Sequence, residues 1–254
     1  MFSMLANVCI LVVVLATAIG FVRLLNRLWP LEMRAATNQQ VGWQLSVLGT
    51  TYAVTLGFML YTEWAGFASA TLNVELEASA LRNVFRLAEG LPQPQRDLLQ
   101  SQTREYAKAV IVNDWPELAR REIPESSHRV NEAMWGTLMS VHATTGPEAT
   151  TEDHALSELA SLTEHRRTRL LQSITDLPLI LWGVLLVGAL LTIISVSIFG
   201  APNSVLHEIQ VASITLLISL VMLAIADIGE PFRGWVHIDS LPFARAQANM
   251  PLTH

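Results

Sequence analysis

Residues 177–199 read LPLILWGVLLVGALLTIISVSIF, without one Asp, Glu, Lys or Arg. A bilayer's hydrocarbon core is about 30 Å thick and takes about 20 apolar residues in helical form, so this run is long enough to cross it. In hydrocarbon the backbone must satisfy its own hydrogen bonds, which makes a helix the form it adopts. Three more uncharged stretches share the property: Met4–Val22, Val41–Thr62 and Ile209–Ala226. They lie in pairs at the two ends of the chain, and a polar, helix-patterned region separates the pairs. The expected class is an all-α membrane protein with four transmembrane helices.

Composition agrees. The 254 residues are 51% hydrophobic and 15% charged, where soluble domains carry about 25% charged residues. The net charge of −6 offers no basic tract for nucleic acid. Cys9 is the only cysteine, which excludes an intramolecular disulfide and a cysteine metal site. Ala16-Thr17-Ala18 has the spacing of a signal cleavage site, yet no Lys or Arg precedes it and Arg23 and Arg27 follow. A retained first helix is the expectation.

Working outward, span one stops at Trp29-Pro30, and residues 31–40 form a polar loop. Span two meets no breaker until Gly90 and Pro92, so one long helix leaves the membrane and continues into water. A second soluble helix is expected over about Pro94–Ala119, a third over about Ser126–Ala143 and a fourth from Thr150 or Thr151. The fourth runs into span three, with Pro178 as the one possible kink. Gly200-Ala201-Pro202-Asn203 is a tight turn, and an irregular tail follows Asp227. The expected organisation is 1–63 transmembrane, 64–176 cytosolic and helical, 177–227 transmembrane and 228–254 a cytosolic tail, with two spans extended into the cytosolic bundle. Arg23, Arg27 and Arg34 on one side and Arg166, Arg167, Arg169 and Arg233 on the other lean the orientation slightly towards a cytoplasmic central region.

Gln44, Thr51, Thr55, Phe58, Thr62 and Ser69 fall on one face of span two. Two readings are open. The hydroxyls bond back to their own helix or glue helices together, or several subunits use this face to line a pore in which Phe58 is an apolar constriction. One four-helix bundle has no room for a water-filled pore, so the second reading requires an oligomer. Glu63 is either an interfacial carboxylate beside Trp64 or part of a ring at the pore mouth that attracts cations.

The central histidines His128, His142, His154 and His165 fit no ligand spacing. No nucleotide-binding loop or nucleophile elbow occurs, so no enzymatic activity, cofactor or metal is expected. Arg166, Arg167 and Arg169 form a solvated face, pair with Glu residues of the long helix, or meet anionic headgroups. In the tail, Asp227, Glu230, Pro231, Phe232 and Gly234 read as a structural clasp: Pro231 ends the helix, Gly234 permits a turn and Phe232 anchors the returning chain. A cation site built with backbone carbonyls is the alternative.

The tail Glu230-Pro231-Phe232…Gly234…Asp239-Ser240-Leu241-Pro242 resembles the Glu-x-Pro-Phe-Gly…Asp-Leu-Pro segment after the last membrane helix of bacterial bestrophins. Leu56-Gly57-Phe58 resembles the Leu-Gly-Phe of their pore helix. Over nearly its full length the chain resembles the bestrophin-like group described as a domain of unknown function. The matching pieces are Glu77 and Leu81, Tyr106…Asp114-Trp115, Arg166…Arg169-Leu170, Leu177-Pro178…Trp182 and Pro231-Phe232…Gly234. The resemblance implies a homo-oligomer, a pentamer, that passes inorganic ions through a pore lined by span two. It also implies a bacterial inner membrane with both termini cytoplasmic. Departures are visible too. Met59-Leu60-Tyr61 replaces the Arg-Asn-Asn of bacterial members, and the acidic cluster that forms the calcium clasp of animal members is absent, with only Asp239 near Gly234. The runner-up is a membrane-anchored scaffold or sensor whose cytosolic helices bind a partner protein.

Overall fold

A computed structural model describes residues 4–251, which form helices and short connections. The first residues of the 1–63 segment and the last of the 228–254 tail lie outside the described residues. In chain order the helices are α1 (Met4–Leu28), α2 (Leu31–Ala35), α3 (Asn38–Leu87), α4 (Gln95–Ala109), α5 (Trp115–Ala119), α6 (Ser126–Met139), α7 (Gly146–Ile174), α8 (Leu179–Ile198), α9 (Ser204–Ile228) and α10 (Leu241–Ala248). Four of them, α1, α3, α8 and α9, are long and apolar enough to cross a membrane.

The expected long helix is there: α3 runs 50 residues without interruption. Other boundaries differ for local reasons. The loop after span one holds the short helix α2, entered at Pro30. The second soluble helix is interrupted by a π-helical turn over Val110–Asp114. Pro116 explains it, because proline cannot donate to the carbonyl of Val112 and its ring crowds that oxygen, so the preceding turn widens. The third ends at Met139 rather than near Ala143. The fourth starts at Gly146, earlier than expected, because Thr145 and Glu148 form a reciprocal capping box. It does not run into span three. Thr175 and Pro178 are extended, and α8 begins afresh at Leu179, so of the two spans expected to continue into the soluble bundle only span two does so as one helix. The tail is not irregular throughout, since Leu241–Ala248 forms α10 with Pro242 in its first turn.

The chain divides into two compact units, and each is built differently. The first comprises the chain up to Ala65 together with Asp176–Gly229. Its surface is apolar: Leu179 is 87% exposed and Ile180 73%, an arrangement stable only where lipid covers it. Polar pins hold its helix ends. Arg23 donates twice to Glu208, at 3.1 and 2.9 Å, just outside the apolar stretches of α1 and α9. The buried His207 donates Nε2–H to the Val196 carbonyl at 3.0 Å, and Asn203 caps α9 through Leu206 N. The Asn38 carboxamide donates to the Gly200 carbonyl at 2.7 Å and accepts from Gly200 N at 2.8 Å, mimicking a peptide pair.

The second unit comprises Gly66–Thr175 and the chain from Glu230. Its core is a seam along α3 and into the 3-10 turn that follows it, with Ala70, Val74, Glu77, Leu81, Val84 and Ala88 all wholly buried at alternating spacings of four and three. Leu99, Thr103 and Tyr106 of α4 and Val110 of the π turn repeat that spacing, as do Ala155, Leu159 and Leu162 of α7. This is coiled-coil-like packing, in which the seam faces the neighbouring helices at every turn.

At the α8–α9 turn a Cβ on Gly200 would stand 2.6 Å from Ala35 N and 3.0 Å from the Arg34 carbonyl carbon, both backbone atoms. We expect Gly200→Ala to destabilise the detergent-solubilised protein by about 2 kcal/mol, the scale of overpacking, read as a lowered thermal midpoint. An unchanged midpoint would show that α2 yields freely there.

Candidate pore face and buried ion-pair network

Span two presents two different faces. Successive residues of a helix turn by about 100°, and Tyr52 and Leu56 fall on the side that packs against α8 and α9, where both are buried. Gln44, Thr51, Phe58 and Thr62 fall on another side and are exposed, Phe58 at 66%, while Thr55 is half-buried. The hydroxyls of Thr51, Thr55 and Thr62 donate to the carbonyls four residues earlier, at 2.8, 2.9 and 2.9 Å. Their donors are therefore satisfied within the helix, and their oxygens can still accept.

Glu63 stands apart from this stripe. It lies about 100° around the helix from Thr62, on the side of Tyr52 and Leu56, and is half-buried. Its Oε2 would be 2.9 Å from a Cβ at Gly229, so a glycine there leaves the carboxylate its room.

In the second unit the charges converge. Arg169 is wholly buried on α7, and its Nε and Nη2 donate to the Glu77 carboxylate at 2.8 and 3.1 Å. Nη2 also donates to Asp114 Oδ2 at 3.1 Å, and the Tyr106 hydroxyl donates to Glu77 Oε1 at 2.7 Å. The other Asp114 oxygen accepts from Ser127 N at 3.4 Å, while Arg166 donates to Ser127 Oγ and to the Pro124 carbonyl. The π turn ends at Asp114, which is wholly buried. Burial by itself lowers the Arg169 guanidinium, but the charge and hydrogen bonds of Glu77, with Tyr106 and Asp114, push it above its usual range. Burial first, and then the Glu77 charge, pushes the Tyr106 phenol well above its usual range. The arginine stays charged and the tyrosine stays a donor.

Among the described residues the remaining edge of Arg169, Nη1, meets no oxygen acceptor. Its guanidinium carbon lies 5.4 Å from the Trp115 ring centre and 6.0 Å from that of Phe243, so aromatic faces take the place of an acceptor. Trp115 in turn holds the tail. It meets Phe232 and Phe243 edge-on at 5.8 and 5.7 Å, and its indole N–H donates to the Ile238 carbonyl at 3.1 Å.

The residues read as a clasp lie as follows. Asp227 is in the last turn of α9. Glu230 pairs with Arg121 at 2.8 Å and with Arg233. The Pro231 carbonyl accepts from Ile238 N at 2.8 Å, and Phe232 is 4% exposed against Trp115. Gly234 has φ of 110°, a conformation that side chains resist. Among the described residues no group of three or more His, Cys, Asp and Glu is placed to hold a metal ion.

The Arg169 network is what sequence reasoning left unresolved. Its signal was the seam itself, since Glu77 follows Val74 by three residues and Arg169 follows Leu162 by seven. Both therefore sit on apolar faces.

The family model described as Bestrophin-like domain matches residues 12–243. A solved bacterial bestrophin homologue from Klebsiella pneumoniae is similar at a TM-score of 0.70 and 14% identity, over 94% of this chain and 96% of its own. A point variant of such a homologue gives 0.73 and 14%, over 94% and 98%. A crystal structure described as a membrane protein gives 0.71 and 13%, over 94% and 97%. At these identities the likeness is one of fold. No curated protein matches in sequence.

Removing Arg169 would strand two buried carboxylates, so Arg169→Met should cost about 3–5 kcal/mol and Tyr106→Phe about 1.5–3 kcal/mol. Both are read as thermal unfolding in detergent. Because the Tyr106 value is raised on folding, its contribution is complete below about pH 10 and is lost as pH rises through the folded value. Tyr106→Phe should therefore also flatten the alkaline fall in stability. Midpoints at the wild-type value would show the network to be energetically idle.

Proposed function

The chain belongs to the bestrophin-like family, and from that premise we propose that it is the subunit of an oligomeric, passive ion channel whose pore is lined by span two. The observation that carries the reading is the threonine stripe. Four of its residues, Gln44, Thr51, Phe58 and Thr62, are left open by their own bundle, and a polar face in a bilayer seeks water or another helix. A ring of copies, a pentamer by family resemblance, gives it both. Threonine oxygens then offer acceptors to passing water and cations, and Phe58 supplies an apolar constriction.

In this reading residues 1–63 and 177–227 lie in the bilayer, the bacterial inner membrane. Residues 64–176 and 228–254 lie in the cytosol together with both termini. The protein's partners are inorganic ions, lipid and further copies of itself, and it carries out no catalysis. With Glu63 turned towards Gly229, the constriction and the threonine ring carry selectivity, and the sign of the ion is read from flux.

A scaffold reading draws on the second unit's exposed apolar residues, Val112, Ile123 and Met139, which a partner protein could cover. Flux separates the two. Liposomes holding the purified oligomer should discharge a chloride or a potassium gradient, each tested alone, and Phe58→Ala should speed the discharge several-fold. An intact oligomer with no flux under either gradient favours the scaffold, and flux indifferent to Phe58→Ala removes the constriction.

A further inference from the structure

Between Asn38 and Ala65, α3 buries two residues, Tyr52 and Leu56, one turn apart. The Tyr52 hydroxyl donates to the Leu185 carbonyl of α8 at 2.9 Å and lies 3.8 Å from the Met222 sulfur of α9. One side chain thus ties span two to both neighbours. Its ring fills the space above Gly188, where an added Cβ would overlap ring carbons Cδ2 and Cε2. Nothing comparable occurs at the other glycines of these spans: Gly49, Gly57 and Gly183 have open space at the Cβ position, and Gly42 has an ordinary contact at 3.7 Å. Leu56 adds apolar contact without direction, and Asn38 pins only the start of α3 to Gly200, so midway along the apolar stretch of span two the directional joint is Tyr52.

We propose that the Tyr52–Gly188 joint is a positioning element that sets the rotation of span two and thereby selects which of its side chains face the pore. The inference rests on the pore reading above. A rotation by one residue, about 100°, exchanges Thr51, Thr55 and Phe58 for Thr50, Val54 and Gly57 in one sense. In the other it brings Tyr52, Leu56 and Met59 to the axis. Either way the Thr55 hydroxyl and the Phe58 constriction leave the axis together, so the joint governs polarity and bore at once. Tyr52 need not touch the ion, because it acts through the helix that carries Thr55 and Phe58.

Cysteine accessibility tests this. Cys9→Ala removes the sole native cysteine, and Thr55→Cys and Val54→Cys are then compared in liposomes for block of flux by a charged, water-soluble thiol reagent. With the joint intact, Thr55→Cys should be blocked much faster than Val54→Cys. Tyr52→Phe keeps the ring but removes the hydrogen bond, and should lower that ratio of rates about fivefold, the population change one hydrogen bond of ordinary strength allows. Gly188→Ala, which displaces the ring, should lower it at least as far. Tyr52→Phe still reads the joint where Gly188→Ala fails to assemble. An unchanged ratio in an assembled, conducting Tyr52→Phe protein overturns the joint alone. Equal rates, or no block at either position, with the joint intact overturns the span-two pore and the joint with it.

Discussion

Arg169 is a full positive charge sealed from water, and the second unit is organised around making that tolerable. A lone buried ion is prohibitively costly, whereas one paired with good geometry is roughly balanced. Glu77 from α3, Asp114 from the π turn, Tyr106 from α4 and the Trp115 and Phe243 rings each supply part of that balance. The constraint therefore reaches four separated chain segments and fixes the register of each. A leucine at 169 could pack against many arrangements of these helices, but a guanidinium fits one. The same demand explains why a widened turn persists ahead of Pro116: it ends at the residue that supplies the second carboxylate.

The first unit obeys different rules because lipid leaves little hydrophobic drive between its helices. Close backbone approach and a few directed polar contacts do the work instead. Gly200 lets the α8–α9 turn sit against α2, Gly188 receives the Tyr52 ring, and Asn38 and His207 satisfy carbonyls near helix ends. Span two is thinly held: between Asn38 and Ala65 it buries Tyr52 and Leu56. Its polar side is satisfied by back-bonded hydroxyls, so it survives exposure to either water or a neighbouring helix.

Much of this was legible in the residues. Charge-free runs of about 20 residues define four helices whatever surrounds them, and Trp29-Pro30 and Gly90 mark ends that the structure places at Leu28 and Gly90. The misses have separate physical origins. Thr175 and Pro178 break a run that periodicity alone reads as continuous, because proline restrains the residue before it as well as its own amide. The Thr145–Glu148 box was written in the sequence and outranks the weaker start at Thr150. Of the three nearby arginines, phase relative to Leu159 and Leu162 sets Arg167 apart but admits both Arg166 and Arg169, and the buried carboxylates of Glu77 and Asp114 mark Arg169 as the one that goes wholly inside.

That span two lines a pore is the central claim, and it concerns side chains around an axis that a single copy does not contain. Imaging the assembled protein in lipid nanodiscs by single-particle electron microscopy addresses it directly. A span-two pore requires a closed ring of subunits in which Thr51 and Thr55 of every copy face the axis and the Phe58 rings form its narrowest point. A ring in which Phe58 faces lipid, or an assembly with no central opening, would contradict it.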